Sequence, residues 1–321
     1  NLARVDYDGT ASSLLVEPER TNLIPYSEDF TTGSWSSFSV GTTPTLTSGF
    51  TAPDGSSNAY KISNPNKDSL WGYDGVADTN YARTIYARTV SGTGTISLLS
   101  KNGNADNVFS LTESWQRFEV NTAALVPNIF YAVDFRVSGN LTELLIWGGQ
   151  SEVGSYPTSY IPTSGSTVTR VQDQYSKTGI SNLIGQTEGT VFVDVDFDTL
   201  SGLNMFLSIR PDASNKIEIY RDSNIIYGEI ASSSSFSFSK TGVTVGRYKI
   251  AVAYSSGSNV MYINGDLISS NSTPFTFTST LNSLYVGSRG GTSFIEQSRY
   301  NDIKLYKTRL SNSELVTLTT I

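Results

Sequence analysis

The sequence predicts an all-β protein of two tandem antiparallel β-sandwiches with one short C-terminal helix. Three observations predict it. Short runs of Val, Ile, Leu, Tyr and Phe recur along nearly the whole chain, punctuated by Ser, Thr, Gly and Asn. The length of 321 residues suits two domains of roughly 150, each able to bury its own core. Between them lies EVGSYPTSYIPTSGSTVTR (Glu152 to Arg170), which closes one β-rich half and opens another. The division expected is an N-terminal arm over 1–19, one sandwich over 20–165 and a second over 166–321.

The first half contains YARTIYARTV (81–90), TISLLS (95–100), WQRFEVNTA (115–123), IFYAVDFRV (129–137) and ELLIWGGQ (143–150), each a strand pattern. Neither side of 81–90 is cleanly apolar, so one of its faces is expected to be solvated or covered by a partner. Eight of the ten prolines fall in residues 1–170, which predicts the more irregular loops there. The two prolines and two tyrosines of 152–162 suit a stiff exit, so the sandwiches are expected to form a rigid pair.

The second half has crisper hairpins. VFVDVDF (191–197) alternates strictly, with Val191, Val193, Val195 and Phe197 inward and Asp194 and Asp196 outward. MFLSIR and KIEIYR flank the turn PDASN, and RYKIAVAY and VMYINGDLIS flank SSGSN. Asn264-Gly265 supplies the positive φ angles of a tight type I′ turn. SSSSFSFSK (232–240) is expected to be an exposed loop running into an edge strand. LYVGSR and IKLYKTRL follow, and Ser311 with Glu314 forms a capping box for the terminal helix.

Composition narrows the chemistry. The chain has no Cys and no His. Thiolate nucleophiles, disulfides, imidazole bases and His- or Cys-ligated metals are therefore excluded. The net charge is −7, and residues 1–170 carry 10 basic against 16 acidic side chains. No basic cluster exists that could neutralise a phosphate backbone, which argues against nucleic acid. No apolar run is long enough to span a bilayer. Asn1 is not an initiator Met, and the chain is expected to be a processed product or part of something longer.

DYDGTASSLLVEPERTNLIPYSEDF (6–30), with Trp35 after it, resembles the opening of a widespread phage structural module that precedes a jelly-roll domain. APDGSSNAYKI, ARTIYAR, ESWQRFEV and IWGGQSEVGSYPTSYIPT are similar to later strands of that module and to jelly-roll carbohydrate-binding modules. EGTVFVDVDF, GRYKIAVAY, MYINGDLI, LYVGSR and the closing strand and helix resemble a laminin-G-like, concanavalin A-type sandwich. Together the resemblances cover almost the whole chain. They imply a tail, spike or head-fibre protein on the virion surface. Its partners would be host-surface glycans and other virion proteins. They imply a homo-oligomer and leave a trimer open. The alternatives are the ancillary binding region of a secreted polysaccharide-degrading enzyme, secreted or at the bacterial surface, and a decoration protein without a glycan ligand.

Candidate residues follow from what a sugar needs. The apolar face of a sugar ring stacks on Trp or Tyr, while carboxylates and amides bond its hydroxyls. Trp71 lies in the polar stretch DSLWGYDG beside Tyr73 and Asp74, and the three are read as a loop platform that competes with a sandwich-capping role. Trp115 and Trp147 sit in strand patterns and are expected in a core, and Trp35 is expected to pack structurally. In the second half Arg210, Tyr220, Asn224 and Tyr227, with Arg289 between glycines and Arg299, are rim candidates. Of these, Tyr227 and Arg289 are carried forward as ligand-binding. The competing reading for Arg289 is a solvated loop arginine.

No catalytic residue is assigned. Glucanases of the concanavalin fold carry an E-x-D-x-x-E strand, and VDVDFD (193–198) has no Glu and lacks the spacing. A Tyr/Arg/Lys lyase site is left open by spacing alone. No cofactor is expected, and calcium at Asp194 and Asp196 is left open.

Overall fold

The computed structural model describes residues 3–8, 11–39, 41–75, 81–100, 107–122 and 129–321. The chain divides into two compact units, Glu19–Val171 and the pair Asn1–Pro18 with Gln172–Ile321. Both are antiparallel β-sandwiches, and the described chain has one α-helix, Asn312–Thr319.

In the unit Glu19–Val171 one sheet runs Val108–Leu111, Gly94–Ser100, Ile129–Asp134, Leu70–Asp74 and Trp35–Ser37. The other runs Gln116–Thr122, Tyr81–Arg88, Glu143–Val153, Ala59–Ser63 and Thr45–Phe50. Ile62, Ile85, Leu144 and Ile146 of the second sheet meet Trp35, Trp71, Tyr73 and Phe130 of the first in a single core. Strand Val168–Arg170 returns to pair with Arg20–Asn22, so the segment after Tyr160 is held in this unit.

The mixed faces of 81–90 have a local explanation. Ile85 and Ala87 enter the main core, while Tyr86 packs on the opposite face against Trp147 and Tyr160. Part of the second face is therefore covered by this chain's own aromatic rings, while Tyr86 and Arg88 stay partly exposed and Val90 is exposed. Glycine makes that packing feasible. Strand Glu143–Val153 carries an irregularity between Trp147 and Gln150, and Gly148 there has φ +62. A Cβ at Gly148 would stand 3.2 Å from the rings of both Tyr160 and Tyr86. Gly148→Ala is expected to cost about 1–2 kcal/mol, from the left-handed backbone alone. A urea unfolding curve measures it.

The other unit has a seven-stranded sheet: Val5–Asp8, Ala11–Val16, Ser298–Tyr306, Glu188–Phe197, Gly246–Ser255, Asn259–Ile263, Asp266–Asn271. Its six-stranded sheet runs Tyr175–Thr178, Ser283–Val286, Leu203–Ile209, Lys216–Asp222, Ile225–Ala231, Phe236–Thr241. The stretch 1–19 is thus not an arm before the first sandwich. Its hairpin joins the second sandwich through Leu14–Val16 against Ser298–Tyr300, and the first sandwich is inserted after it.

Val191, Val193, Val195 and Phe197 face this core, as their alternation predicts. Asn264 and Gly265 have φ +52 and +90 between the paired residues Ile263 and Asp266, a two-residue turn of positive φ. Phe236–Thr241 is the edge strand expected from SSSSFSFSK, and it sends Phe238 into the core. The Ser311 hydroxyl accepts from the Glu314 amide, and the Glu314 carboxylate accepts from the Ser311 amide, closing the capping box. Leu315 of that helix is buried on Phe192, Ala251 and Tyr262, on the far side of the seven-stranded sheet from the main core. Among the described residues no helix is long and apolar enough to cross a membrane.

Candidate functional site

The first-half platform does not exist as expected. LWGYD is a five-residue strand, Leu70–Asp74, in the middle of a sheet. Trp71 and Tyr73 alternate onto the core face and are each only 6% exposed. Tyr73 packs edge-on against Trp35, with ring centroids 5.3 Å apart. Neither ring presents a face to a ligand, and Asp74 is left alone at the exposed end of the strand. Trp35 donates its indole N–H to the Tyr26 carbonyl at 2.8 Å, which suits the packing role expected of it. Trp147 is buried in the side cluster beneath Tyr86, and Trp115 is half-buried beside it.

The second-half candidates do come together, on the face of the six-stranded sheet turned away from the core. Alternation builds that face. Along KIEIYRD, Ile217 and Ile219 point into the core, so Lys216, Glu218 and Tyr220 point out. The neighbouring strand pairs Tyr227 directly with Tyr220 and Glu229 directly with Glu218. The two tyrosine rings stack with centroids 5.0 Å apart and planes at 19°. Both are half-buried, so their outer edges remain accessible.

Two glutamates opposite each other on a sheet repel unless a cation joins them. Lys216 does so, with its Nζ 3.0 Å from Glu218 and 2.9 Å from Glu229. Arg289 arrives from the loop after Ser283–Val286, and its guanidinium lies 3.0 Å from Glu218 Oε2. It also sits over the Tyr220 ring at 5.8 Å and the Phe294 ring at 4.8 Å. Glu218 is fully buried and is matched accordingly: the Ser208 hydroxyl donates to Oε1 at 2.9 Å, and Arg210 approaches to 3.6 Å. Burial first, then the Glu229 charge, pushes the Tyr220 phenol up to about 12, so it stays protonated and able to donate.

Arg289 is therefore a fixed member of this cluster rather than a solvated loop residue, and Tyr227 shares the cluster with it. Arg210 and Tyr220 belong to it too. Asn224 is exposed at the hairpin tip, outside it, and Arg299 lies on the other sheet. Sequence reading missed Lys216, Glu218 and Glu229, although the period-two alternation around Tyr220 and Tyr227 carried that signal. Chemically the face offers a tyrosine pair, a phenol donor, a carboxylate partly open to solvent at Glu229 and a guanidinium, around an ion-pair network centred on the buried Glu218.

Asp194 and Asp196 face outward as predicted, but they do not form a cation cage. Asp194 is held by Arg247 at 2.8 and 2.6 Å through both oxygens, and Asn301 donates to it at 3.3 Å. Burial, then the neighbouring Asp198, pushes the Asp196 carboxyl up. Arg299 beside it is bound to Asp6 at 2.6 Å and Asp198 at 2.5 Å. Among the described residues no group of three acidic side chains is placed to hold a metal.

No protein-family model matches the sequence, and no curated protein matches it. Solved structures do show likeness. The CBM40 of the Ruminococcus gnavus IT-sialidase, bound to α2,3-sialyllactose, is 14% identical with a TM-score of 0.39, over 46% of this chain and 97% of its own. The leech intramolecular trans-sialidase, complexed with 2,7-anhydro-Neu5Ac, is 17% identical with a TM-score of 0.40, over 46% of this chain and 26% of its own. The botulinum neurotoxin serotype D binding domain is 12% identical with a TM-score of 0.36, over 41% of this chain and 36% of its own.

Proposed function

We propose that this protein is a non-catalytic glycan-binding component of a virion, a tail, spike or head-fibre protein, that uses the Tyr220–Tyr227–Arg289 face. The single observation behind it is the stacked tyrosine pair flanked by a fixed guanidinium and carboxylate on an outward sheet face. A sugar packs its C–H groups against the exposed edges of the stacked tyrosines, while its hydroxyls donate to Glu229 and accept from the Tyr220 phenol and Arg289. The glutamates are neutralised by Lys216 and Arg289, which supports binding rather than acid–base work. The virion setting is supported by the resemblance of LLVEPERTNL and the strands after it to phage modules. On a particle surface with several copies, weak sites gain strength by repetition.

A glycan array tests this. Tyr227→Ala is expected to keep the fold and to weaken binding by about tenfold, the size of one lost aromatic contact. Array binding that is the same for Tyr227→Ala and the parent chain sinks the reading of this face. Release of reducing ends from any bound polysaccharide sinks the non-catalytic part.

A further inference from the structure

The Glu19–Val171 unit holds a polar cavity of its own, of about 410 Å³, lined by Tyr26, Glu28, Asp29, Ser57, Asn58 and Tyr60 among others. That size falls within the roughly 300–1,000 Å³ of ordinary small-molecule sites. Its polar groups are fixed from behind by the buried Trp147 and the partly buried Tyr160. Trp147 donates its indole N–H to Asn58 Oδ1 at 2.8 Å, and Asn58 Nδ2 then donates to Glu28 Oε2 at 2.8 Å. Tyr160 donates to Glu28 Oε1 at 3.1 Å, while its oxygen lies 2.7 Å from the Ser27 hydroxyl. Asp29 Oδ1 accepts from the Thr31 amide at 3.0 Å, the Thr31 hydroxyl at 2.7 Å and Tyr60 at 3.0 Å. Burial opposes the charge on Asp29, yet the bonds from Thr31, Thr32 and Tyr60 outweigh it and hold the carboxyl at about 2. None of the lining residues is basic.

We infer that this cavity is a second carbohydrate site, separate from the tyrosine face and selective for neutral sugars. The chemistry of the lining sets the selectivity. The two Glu28 oxygens and Asp29 Oδ2 each accept one hydrogen bond and keep acceptor capacity, which suits the hydroxyl donors of a neutral sugar, and the two charges repel the carboxylate or sulfate of an acidic one. Tyr26 and Tyr60 supply ring surface, and Asn58 and Ser57 give donors and acceptors for the remaining hydroxyls. A preorganised set of this kind, held by a second layer of hydrogen bonds, loses little entropy on binding. A hard cation is a poorer occupant, because it needs six or more free oxygens and Asp29 Oδ1 already accepts three hydrogen bonds.

The test is calorimetric titration of the full chain with maltohexaose, cellohexaose, mannohexaose and, as the acidic probe, hexagalacturonate, each with and without EDTA. At least one neutral hexaose is expected to bind through this cavity, unaffected by EDTA, and hexagalacturonate is expected not to bind there. Ser57→Trp fills the cavity from an exposed position that leaves the core alone, and Glu28→Gln removes one charged acceptor. Each is expected to weaken the neutral hexaose by about tenfold or more. Tyr227→Ala is expected to leave that affinity within about twofold, since additive behaviour holds for sites without shared partners. The proposal is overturned if no neutral hexaose binds, if Tyr227→Ala rather than Ser57→Trp abolishes the binding, or if EDTA abolishes it. Array binding lost in Tyr227→Ala while the hexaose still binds supports both sites. Hexaose binding without any array signal at the tyrosine face retains this site alone.

Discussion

Replacing Trp71 with alanine is expected to lower the unfolding free energy by about 3–5 kcal/mol, the cost of emptying a large aromatic position in a packed core. The residue is 6% exposed and shares its core with Ile62, Ile85 and Phe130. Its indole N–H is buried without a partner among the described residues. Trp71→Phe therefore trades some ring volume for the removal of an unsatisfied donor and is expected to cost much less than alanine. Denaturant midpoints for the two variants separate these contributions. A Trp71→Ala protein as stable as the parent that loses glycan binding would restore the ligand role its sequence neighbourhood suggests.

Glu218→Ala is the second large effect. Glu218 is fully buried, and Lys216, Arg289 and Arg210 converge on it. Its removal leaves their charges facing one another in a partly desolvated space. Breaking a buried pair from one side costs about 3–5 kcal/mol, and the partial exposure of the three cations places this case near the lower end. The change also removes the ion pair that holds Arg289 over Tyr220, so glycan affinity is expected to fall together with stability. Denaturation combined with titration on the folded protein checks both. High salt should partly rescue stability by screening the repulsion among the cations.

Much of the fold was legible where the signal is local. The alternation of VFVDVDF, the Asn264-Gly265 turn and the Ser311–Glu314 box depend on neighbours in sequence, and each forms as read. What depends on distant pairing was not legible. The N-terminal hairpin lies about 280 residues from the strand it joins, as Leu14 pairs with Tyr300, and nothing in its own residues names that partner. Trp71 was misread because a short central strand flanked by Asp, Ser and Gly imitates a loop. Its burial comes from strands on both sides, Trp35–Ser37 and Ile129–Asp134. At the tyrosine face the individual residues Arg210, Tyr220, Tyr227 and Arg289 were visible. The network that fixes them was not, because opposed glutamates make sense only once Lys216 is seen to bridge them.

The most direct test of the glycan-binding reading is a crystal structure of the chain with its strongest array ligand. The account predicts a sugar packed against the exposed edges of the Tyr220–Tyr227 pair, with Arg289 and Glu229 within hydrogen-bond distance of its substituents. Sugar density found only away from these residues, on a face or cavity that does not include them, would contradict it.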